Sequence, residues 1–496
     1  MPVGSGGLLV GDVFTNAARA VPERPAVALG DEALTFGQLN ARANAVAAVL
    51  AEAGLRRGDR LVTWASTDLA MTPVFAAAAK LGVVFAPTNS VLGAEEAAVV
   101  IEPARPALLL VDAERAEAGK ALAERLGTRS LTLEALTDEA GDADPGEPPP
   151  AGLAETDPHV IFFTSGSTGR PKGAILSHRV NMLRTHPGAQ LEPRGAMVCP
   201  YPMFHMGAWT IALQQWQARD LVVLLRSADP VAIAAAVAGH RAARLNCIPA
   251  VWQRVLDHLG SPAGAKVDTS SVRLADAGTS ATPVELLTAI ARAFPNAFVR
   301  VFYGSTEAGS VAALHHPDIE RKPGSCGPPA PLTEVRLDEG TGELWVRGPL
   351  VFDGYFEDPE ATAAALVDGW YRTGDVAECD DEGYLAITGR ARDVIRTGGE
   401  TVAPLEVEEA LRDHPGVLEV AVVGVPDATW GEVICAVVVA APGPPPTLED
   451  LRRHAEGRLA PFKQPRRLEL VDAIPRTDST AQVQRRVLVE RLTGAR

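Results

Sequence analysis

Cysteine is scarce in this sequence, and its spacing is uninformative: Cys199, Cys247, Cys326, Cys379 and Cys435 form no C-x-x-C pair. That excludes a zinc ribbon and a disulfide framework, and a reducing cytoplasm is the expected compartment. A basic excess is also missing. Lys and Arg number 46 against 62 Asp and Glu, a formal charge of −16. Nucleic-acid backbones and anionic membranes are excluded as main partners, and an anionic substrate would need a local basic site. No apolar run approaches the roughly 18 residues of a membrane span. Residues 1–7 lack the basic n-region of a signal peptide, so the expectation is a chain neither exported nor membrane-inserted. No internal repeat is found, and lysine is rare beside arginine.

What remains is a chain of 496 residues, 47% apolar, long enough for about three domain-sized units. Leu39, Ala43, Val46, Val49 and Leu50 fall at helical spacing between Phe36 and Ala53, with Gly54 as a cap, and Arg60 to Ala65 reads as a strand. Such βα alternation runs to about Leu136 and resumes from His159 to about Pro323, where Leu221 to Leu225 is a strand and Pro230 to Gly239 a helix. Between them, residues 137–158 are rich in Asp, Glu, Gly and Pro and read as an exposed connector. Residues 324–388 are dominated by short strands and turns, and the last hundred residues are compact α+β. The expected fold class is α/β: a large N-terminal domain of βα-layered subdomains with a small β-rich subdomain, followed by a small α+β C-terminal domain.

The stretch that organises the reading is Thr164-Ser165-Gly166-Ser167-Thr168-Gly169-Arg170-Pro171-Lys172-Gly173, which follows the strand-like run His159 to Phe163. Three glycines allow close backbone approach, hydroxyls and consecutive N–H groups supply donors, and Lys172 adds a mobile positive charge, so the loop suits polyphosphate. It is not a Walker A loop, because Pro171-Lys172-Gly173 stands where Gly-Lys-Ser/Thr would be required. Farther on, Tyr303-Gly304-Ser305-Thr306-Glu307 follows the strand Phe298 to Phe302; a flat ring, a glycine, a hydroxyl and a carboxylate can stack a base, admit a ligand, bind a phosphate oxygen and hold Mg²⁺. Tyr371-Arg372-Thr373-Gly374-Asp375 places a carboxylate after a glycine turn, where it could accept from ribose hydroxyls, and Gly389-Arg390 could add a guanidinium. Taken singly, each of these is ordinarily a surface turn or a solvated charge.

Together and in this order the motifs resemble the adenylate-forming superfamily of acyl-CoA synthetases, peptide-synthetase adenylation domains and beetle luciferases. The resemblance implies ATP or AMP, Mg²⁺ and CoA as cofactors. It puts Thr164, Ser165, Gly166, Ser167, Thr168, Gly169 and Lys172 on the phosphates, Tyr303 and Gly304 on adenine, Thr306 on the α-phosphate, Glu307 on magnesium, and Asp375 and Arg390 on ribose. Gly278 would lie at the nucleotide and acyl group. Phe204-His205-Met206-Gly207 would line the acyl pocket and thiol entrance, and with Trp209 and Trp252 it suggests a largely apolar acid. No Asp follows Phe204 to pair a substrate ammonium. His205 is a candidate base, though a lone histidine there is more often packed. The resemblance also implies an adenylate-binding domain over residues 1–390 and a mobile domain over 391–496, swinging on Arg392 to present Gly399 to a pantetheine arm.

One departure stands out. Near its C-terminus the family carries Pro-Arg-Thr, two variable residues, then Gly-Lys, and that lysine bridges the substrate carboxylate and the α-phosphate during adenylation. Here the tail reads Pro475-Arg476-Thr477-Asp478-Ser479-Thr480-Ala481-Gln482, one residue longer and without the glycine, so that Gln482 stands where the lysine should be, and no lysine follows Lys463. An amide carries no charge, so the expected activity is an acyl-CoA ligase working from an acyl-adenylate and CoA, with adenylation impaired or absent and a separate adenylating enzyme as partner. The alternative is a complete two-step synthetase in which Arg485, Arg486 or another base substitutes; a non-catalytic binder of nucleotide or acyl-adenylate comes third. No carrier-protein segment is fused, which favours free CoA, and a homodimer is possible. Neither nucleic acid nor membrane is expected as a partner.

Overall fold

The computed structural model describes residues 7–494 other than 142–144, 150–151, 165–170, 187–194, 279–281, 392, 394, 398–399, 428–429, 457 and 478–481. The chain divides into two compact units. One comprises Met1–Pro323, Ala330–Glu334 and Arg347–Tyr371; the other comprises Gly324–Pro329, Val335–Val346 and Arg372–Arg496.

The first unit is built on two sheets. The six-stranded sheet runs Arg129–Thr132, Leu108–Val111, Arg60–Trp64, Val84–Thr88, Pro158–Thr164, Lys172–Ser177, parallel except for the last pair. Its central strands are continuous apolar runs because helices cover both faces; Leu108–Val111 is buried throughout. The eight-stranded sheet runs Gly309–His315, Phe298–Ser305, Leu274–Gly278, Arg244–Cys247, Met197–Cys199, Val222–Leu224, Pro25–Leu29, Glu32–Thr35, antiparallel only at its two ends. Helix Phe36–Glu52 begins at a reciprocal capping box between Thr35 and Gln38. The expected helix at Pro230–Gly239 forms with those bounds, opened by the Asp229 side chain accepting from the Ala232 N–H.

Aromatic rings join the two sheets. Phe75 of helix Met71–Leu81 stacks on Trp209 of helix Met206–Gln217, with centroids 4.4 Å apart and planes 11° from parallel. Phe85 and His159 of the six-stranded sheet pack edge-on to this pair, while Trp216 donates to Ala26 O at 3.1 Å in the eight-stranded sheet.

The expected connector 137–158 is less free than its composition implies. Helix Leu133–Ala140 takes its first residues. Glu147 then reaches inward, accepting from Lys80 Nζ at 2.7 Å, Asn40 Nδ2 at 2.9 Å and Thr15 Oγ1 at 3.0 Å. Lys80 is buried and also donates to Asn40 and Asn44, both at 2.6 Å. A single carboxylate anchors this segment to a buried ammonium, and hydrophobic periodicity carries no trace of such an anchor.

His159 and His178 form a fully buried pair with ring centroids 4.8 Å apart. The Nδ1 atom of His178 accepts from Val10 N–H at 3.2 Å, and that of His159 faces Asn181 Nδ2 at 3.0 Å. Burial holds His159 well below the ordinary histidine range and pushes His178 down to about 4, against the weaker opposing pull of Asp157. Below pH 6.5 the unfolded chain therefore takes up protons that the folded chain refuses, so stability present at neutral pH is lost as pH falls from 6.5 toward 4. At roughly 1.4 kcal/mol per pH unit, His178 alone accounts for about 3 kcal/mol by pH 4. Thermal unfolding followed from pH 7.5 to 4.5 should show the midpoint falling in this window, with a shallower slope in His178→Gln; equal slopes would remove His178 as the cause.

In the second unit, Asp375–Cys379 pairs antiparallel with Leu385–Arg390, setting Asp375 opposite Arg390. Asp375 follows Gly374, whose φ of +71° kinks the backbone within the strand, and the Thr373 hydroxyl donates to Leu344 O at 2.7 Å. The last hundred residues wrap helices around a sheet ordered Glu400–Val402, Ile395–Thr397, Gly431–Ala440, Val417–Asp427, with Arg467–Leu470 also pairing Gly431–Ala440. Alternation of period two divides its long hairpin: Val422, Ile434, Ala436 and Val438 pack with helices Pro404–Arg412 and Leu448–Ala455, while Val423, Val425, Cys435 and Val437 pack with Leu488 of helix Arg485–Thr493. No described helix is long and apolar enough to cross a membrane.

Candidate active site

Glu307 sits at the tip of a tight hairpin between strands Phe298–Ser305 and Gly309–His315, with Ser305 opposite Gly309. The hairpin requires glycine at 304, since a Cβ there would lie 2.1 Å from Gly309 O. It is fastened from outside by Arg184, the penultimate residue of helix His178–Thr185. The Arg184 guanidinium donates to Thr306 O at 2.8 Å, Glu307 O at 2.9 Å and Leu350 O at 2.8 Å. Burial pulls Arg184 down to about 10, with the Glu307 carboxylate opposing, so it stays cationic at neutral pH. Sequence reasoning missed Arg184, because a lone arginine on a short helix reads as a surface charge.

The Glu307 side chain is buried, and its Oε1 accepts from Thr164 Oγ1 and from Tyr355 OH, each at 3.2 Å. Burial, then Glu307 itself, raises the Tyr355 phenol above its usual range, which keeps it a donor. Both bonds fall on one oxygen and leave Oε2, among the described residues, without a partner. Lys172, directly opposite Thr164 across the strand pair, holds its Nζ 5.0 Å from the centroid of the Tyr355 ring. Among the described residues it has no carboxylate partner. Thr164, Lys172, Glu307 and the backbone of Thr306 are thus gathered in one place. Ser165, Gly166, Ser167, Thr168 and Gly169 lie outside the described residues.

Among the described residues no cluster of three or more His, Cys, Asp and Glu side chains could cage a metal. Mg²⁺ is typically held by one or two carboxylates together with substrate phosphates, and Glu307 Oε2, without a partner among the described residues, is a suitable hard oxygen.

Tyr303 is half-buried two residues before the hairpin turn. Gly278 ends strand Leu274–Gly278 beside Phe302, where a Cβ would meet Phe302 O at 3.2 Å. Phe204 is half-buried. The Nδ1 atom of His205 accepts from the Gly207 N–H at 3.0 Å and so caps helix Met206–Gln217, and burial holds the ring below the ordinary histidine range. With Nδ1 committed, Nε2 carries the proton, and the imidazole offers a donor rather than a base. Trp209 and Trp252 are placed in the core rather than on an open pocket wall, at 3% and 0% exposure. Their indole N–H groups are consumed by Met203 O at 2.5 Å and Asp276 O at 2.9 Å. Large aromatics near a motif signal packing at least as readily as a ligand.

In the second unit, Asp375 and Arg390 are ion-paired at 2.8 Å, and Arg390 also reaches Thr373 O at 3.4 Å. Arg392 and Gly399 lie outside the described residues. Gln482 is exposed: its N–H donates to Thr477 Oγ1 at 3.1 Å and its O accepts from Thr477 N–H at 2.8 Å.

The AMP-binding enzyme family matches residues 14–356, and the AMP-binding enzyme C-terminal domain matches residues 406–480. Feruloyl-CoA synthase from Amycolatopsis sp is 36% identical over 477 residues, covering 93% of this chain and 95% of that protein. Indoleacetate–CoA ligase from Aromatoleum aromaticum is 33% identical, covering 92% and 93%. The crystal structure of ATP-bound MatB from Rhodopseudomonas palustris superposes with a TM-score of 0.86 at 30% identity, covering 97% of this chain and 98% of that one.

Proposed function

This chain belongs to the AMP-binding enzyme family, as an acyl-CoA ligase using ATP/AMP and CoA, and within that family we propose that it is a two-step, AMP-forming synthetase for a largely apolar carboxylic acid. In the first half-reaction a carboxylate oxygen bonds to the α-phosphorus of ATP as the bond to pyrophosphate breaks. In the second, the CoA sulfur bonds to the acyl carbon, the acyl–oxygen bond breaks, AMP leaves, and the thiol proton passes to solvent. The observation that carries this reading is Glu307, fixed through its backbone by Arg184 and through Oε1 by Thr164 and Tyr355, with Oε2 lacking a partner among the described residues and Lys172 Nζ over the same Tyr355 ring.

Each group has a task. Lys172 supplies positive charge for the phosphates, Glu307 would hold Mg²⁺, which when bound neutralises phosphate charge, and Tyr303 offers a face for adenine. His205 orients helix Met206–Gln217 at the thiol side. The carboxylic acid and CoA are the partners, and relatives named as a CoA synthase and a CoA ligase support the complete cycle ahead of the sequence-based preference for a truncated one.

A second reading rests on Gln482. In it adenylation is the slow half, and acyl-adenylate arrives from a separate adenylating enzyme. The decisive assay supplies a panel of aryl and alkyl acids with ATP, Mg²⁺ and CoA, and follows AMP, pyrophosphate and acyl-CoA. Equal yields of all three, falling about 10²-fold or more in Glu307→Gln, are expected for the two-step enzyme. Acyl-CoA formed only from preformed acyl-adenylate would select the second reading, and no product from either would overturn both.

A further inference from the structure

Beside His205 the eight-stranded sheet carries a polar pair that no sequence motif marks. Asn246 lies on strand Arg244–Cys247, half-buried, in register with Asp276 on the next strand and, through it, with Arg300. These three side chains share one face, and Gly278 follows two residues later on that same face with no side chain. The Asp276 carboxylate is clamped by Arg300 through two bonds of 2.8 and 3.0 Å, so the face presents no free negative charge to a substrate ammonium.

Tyr201 fixes how the amide of Asn246 is turned. Its phenol donates to Asn246 Oδ1 at 2.9 Å, and its ring packs nearly parallel to His205, with centroids 5.8 Å apart and planes 18° from parallel. Burial pushes the Tyr201 phenol well above its ordinary range, so it remains the donor. With Oδ1 taken, Nδ2 turns away from Tyr201, and among the described residues it has no acceptor. An amide oriented by a neighbour, whose N–H₂ has no acceptor among the described residues, is a preset reader of an oxygen atom.

We infer that Asn246, oriented by Tyr201, is a specificity-determining residue that donates a hydrogen bond to an oxygen on the acyl group, so that the enzyme takes oxygenated apolar acids in preference to plain hydrocarbon ones. This rests on the acyl-CoA ligase reading of the site. The oxygen belongs to the body of the acyl group and is distinct from the reacting carboxylate; a ketone, an ether or a ring hydroxyl supplies the acceptor.

The test separates this inference from the reading beneath it by measuring binding without turnover. Two non-reactive acyl-sulfamoyl adenosines are compared by calorimetry, identical except that one carries a ring methoxy group where the other carries hydrogen. The native protein should bind the methoxy compound about tenfold more tightly, the weight of one neutral hydrogen bond. In Asn246→Leu the ratio should collapse toward one. In Asn246→Asp, whose carboxylate accepts but does not donate, the methoxy compound should lose its advantage while a hydroxyl analogue keeps one. Circular dichroism of each variant checks that it folds. Equal binding of the pair by native protein, or a ratio preserved in Asn246→Leu, overturns this inference alone; binding of neither compound overturns the ligase reading and this inference with it.

Discussion

Replacing Arg184 by methionine is expected to lower stability by about 3 kcal/mol or more and kcat/KM by about 10²-fold, the larger loss in activity coming with a raised Mg²⁺ requirement. The first effect follows from three part-buried carbonyls, of Thr306, Glu307 and Leu350, that share this one guanidinium. Leaving a buried acceptor unsatisfied costs about 1–3 kcal/mol for each group. The second effect follows from geometry: Thr306 and Glu307 are the residues whose backbone Arg184 holds, and a shift of about 1 Å in a catalytic group can cost about 10²-fold. Lysine restores the charge but offers its donors from one point, so Arg184→Lys should recover stability only in part and should leave the Mg²⁺ dependence displaced. Thermal unfolding and a Mg²⁺ titration of the initial rate, made on native protein and both variants, decide the matter. A methionine variant less stable but with an unchanged Mg²⁺ titration would make Arg184 purely structural.

Arg184 also marks where sequence reasoning stops. The fold was legible wherever its signal is local: Phe36–Glu52 carries helical spacing and a capping pair, Pro158–Thr164 and Lys172–Ser177 flank a Gly/Ser/Thr loop, and the alternating strands Val417–Asp427 and Gly431–Ala440 declare two buried faces. Glu307 and Lys172 were legible because their motifs fix residue type and order along the chain. What could not be read are contacts between segments distant in sequence. Arg184 lies 122 residues from Thr306, Tyr355 lies 48 from Glu307, and Glu147 lies 67 from Lys80. Trp209 and Trp252, which the sequence reading took with Phe204 as signs of an apolar acid, sit in the core with both indole N–H groups bonded to main-chain carbonyls, contacts that residue type alone does not disclose.

On the second reading, in which adenylation is the slow half, Gln482→Lys is expected to raise acid-dependent pyrophosphate exchange by about 10²- to 10³-fold while leaving thioester formation from preformed acyl-adenylate within about twofold of native; on the two-step reading native exchange is already fast and gains little. The size is that of one charge-stabilising donor in a transition state, about 2.7–4 kcal/mol. The asymmetry follows from the family resemblance, in which this position serves only adenylation. Locally the exchange should be neutral, because Gln482 is exposed and bonds to Thr477 only through its own main-chain atoms, so stability should change by no more than about 0.5 kcal/mol. The alternative in which a neighbouring base already substitutes faces a physical obstacle within the second unit. Arg485 is committed to Glu408 at 2.5 Å, to Val422 O at 3.1 Å and to Asp393 at 3.6 Å, and Glu408 is itself buried. Withdrawing Arg485 would strand that carboxylate at a cost of several kcal/mol. Arg486 lies in an exposed pair with Glu490, and Arg476 with Glu419. If exchange in Gln482→Lys stays at the native level, the uncharged amide does not limit adenylation; if native exchange is already fast, a base outside this tail supplies the charge.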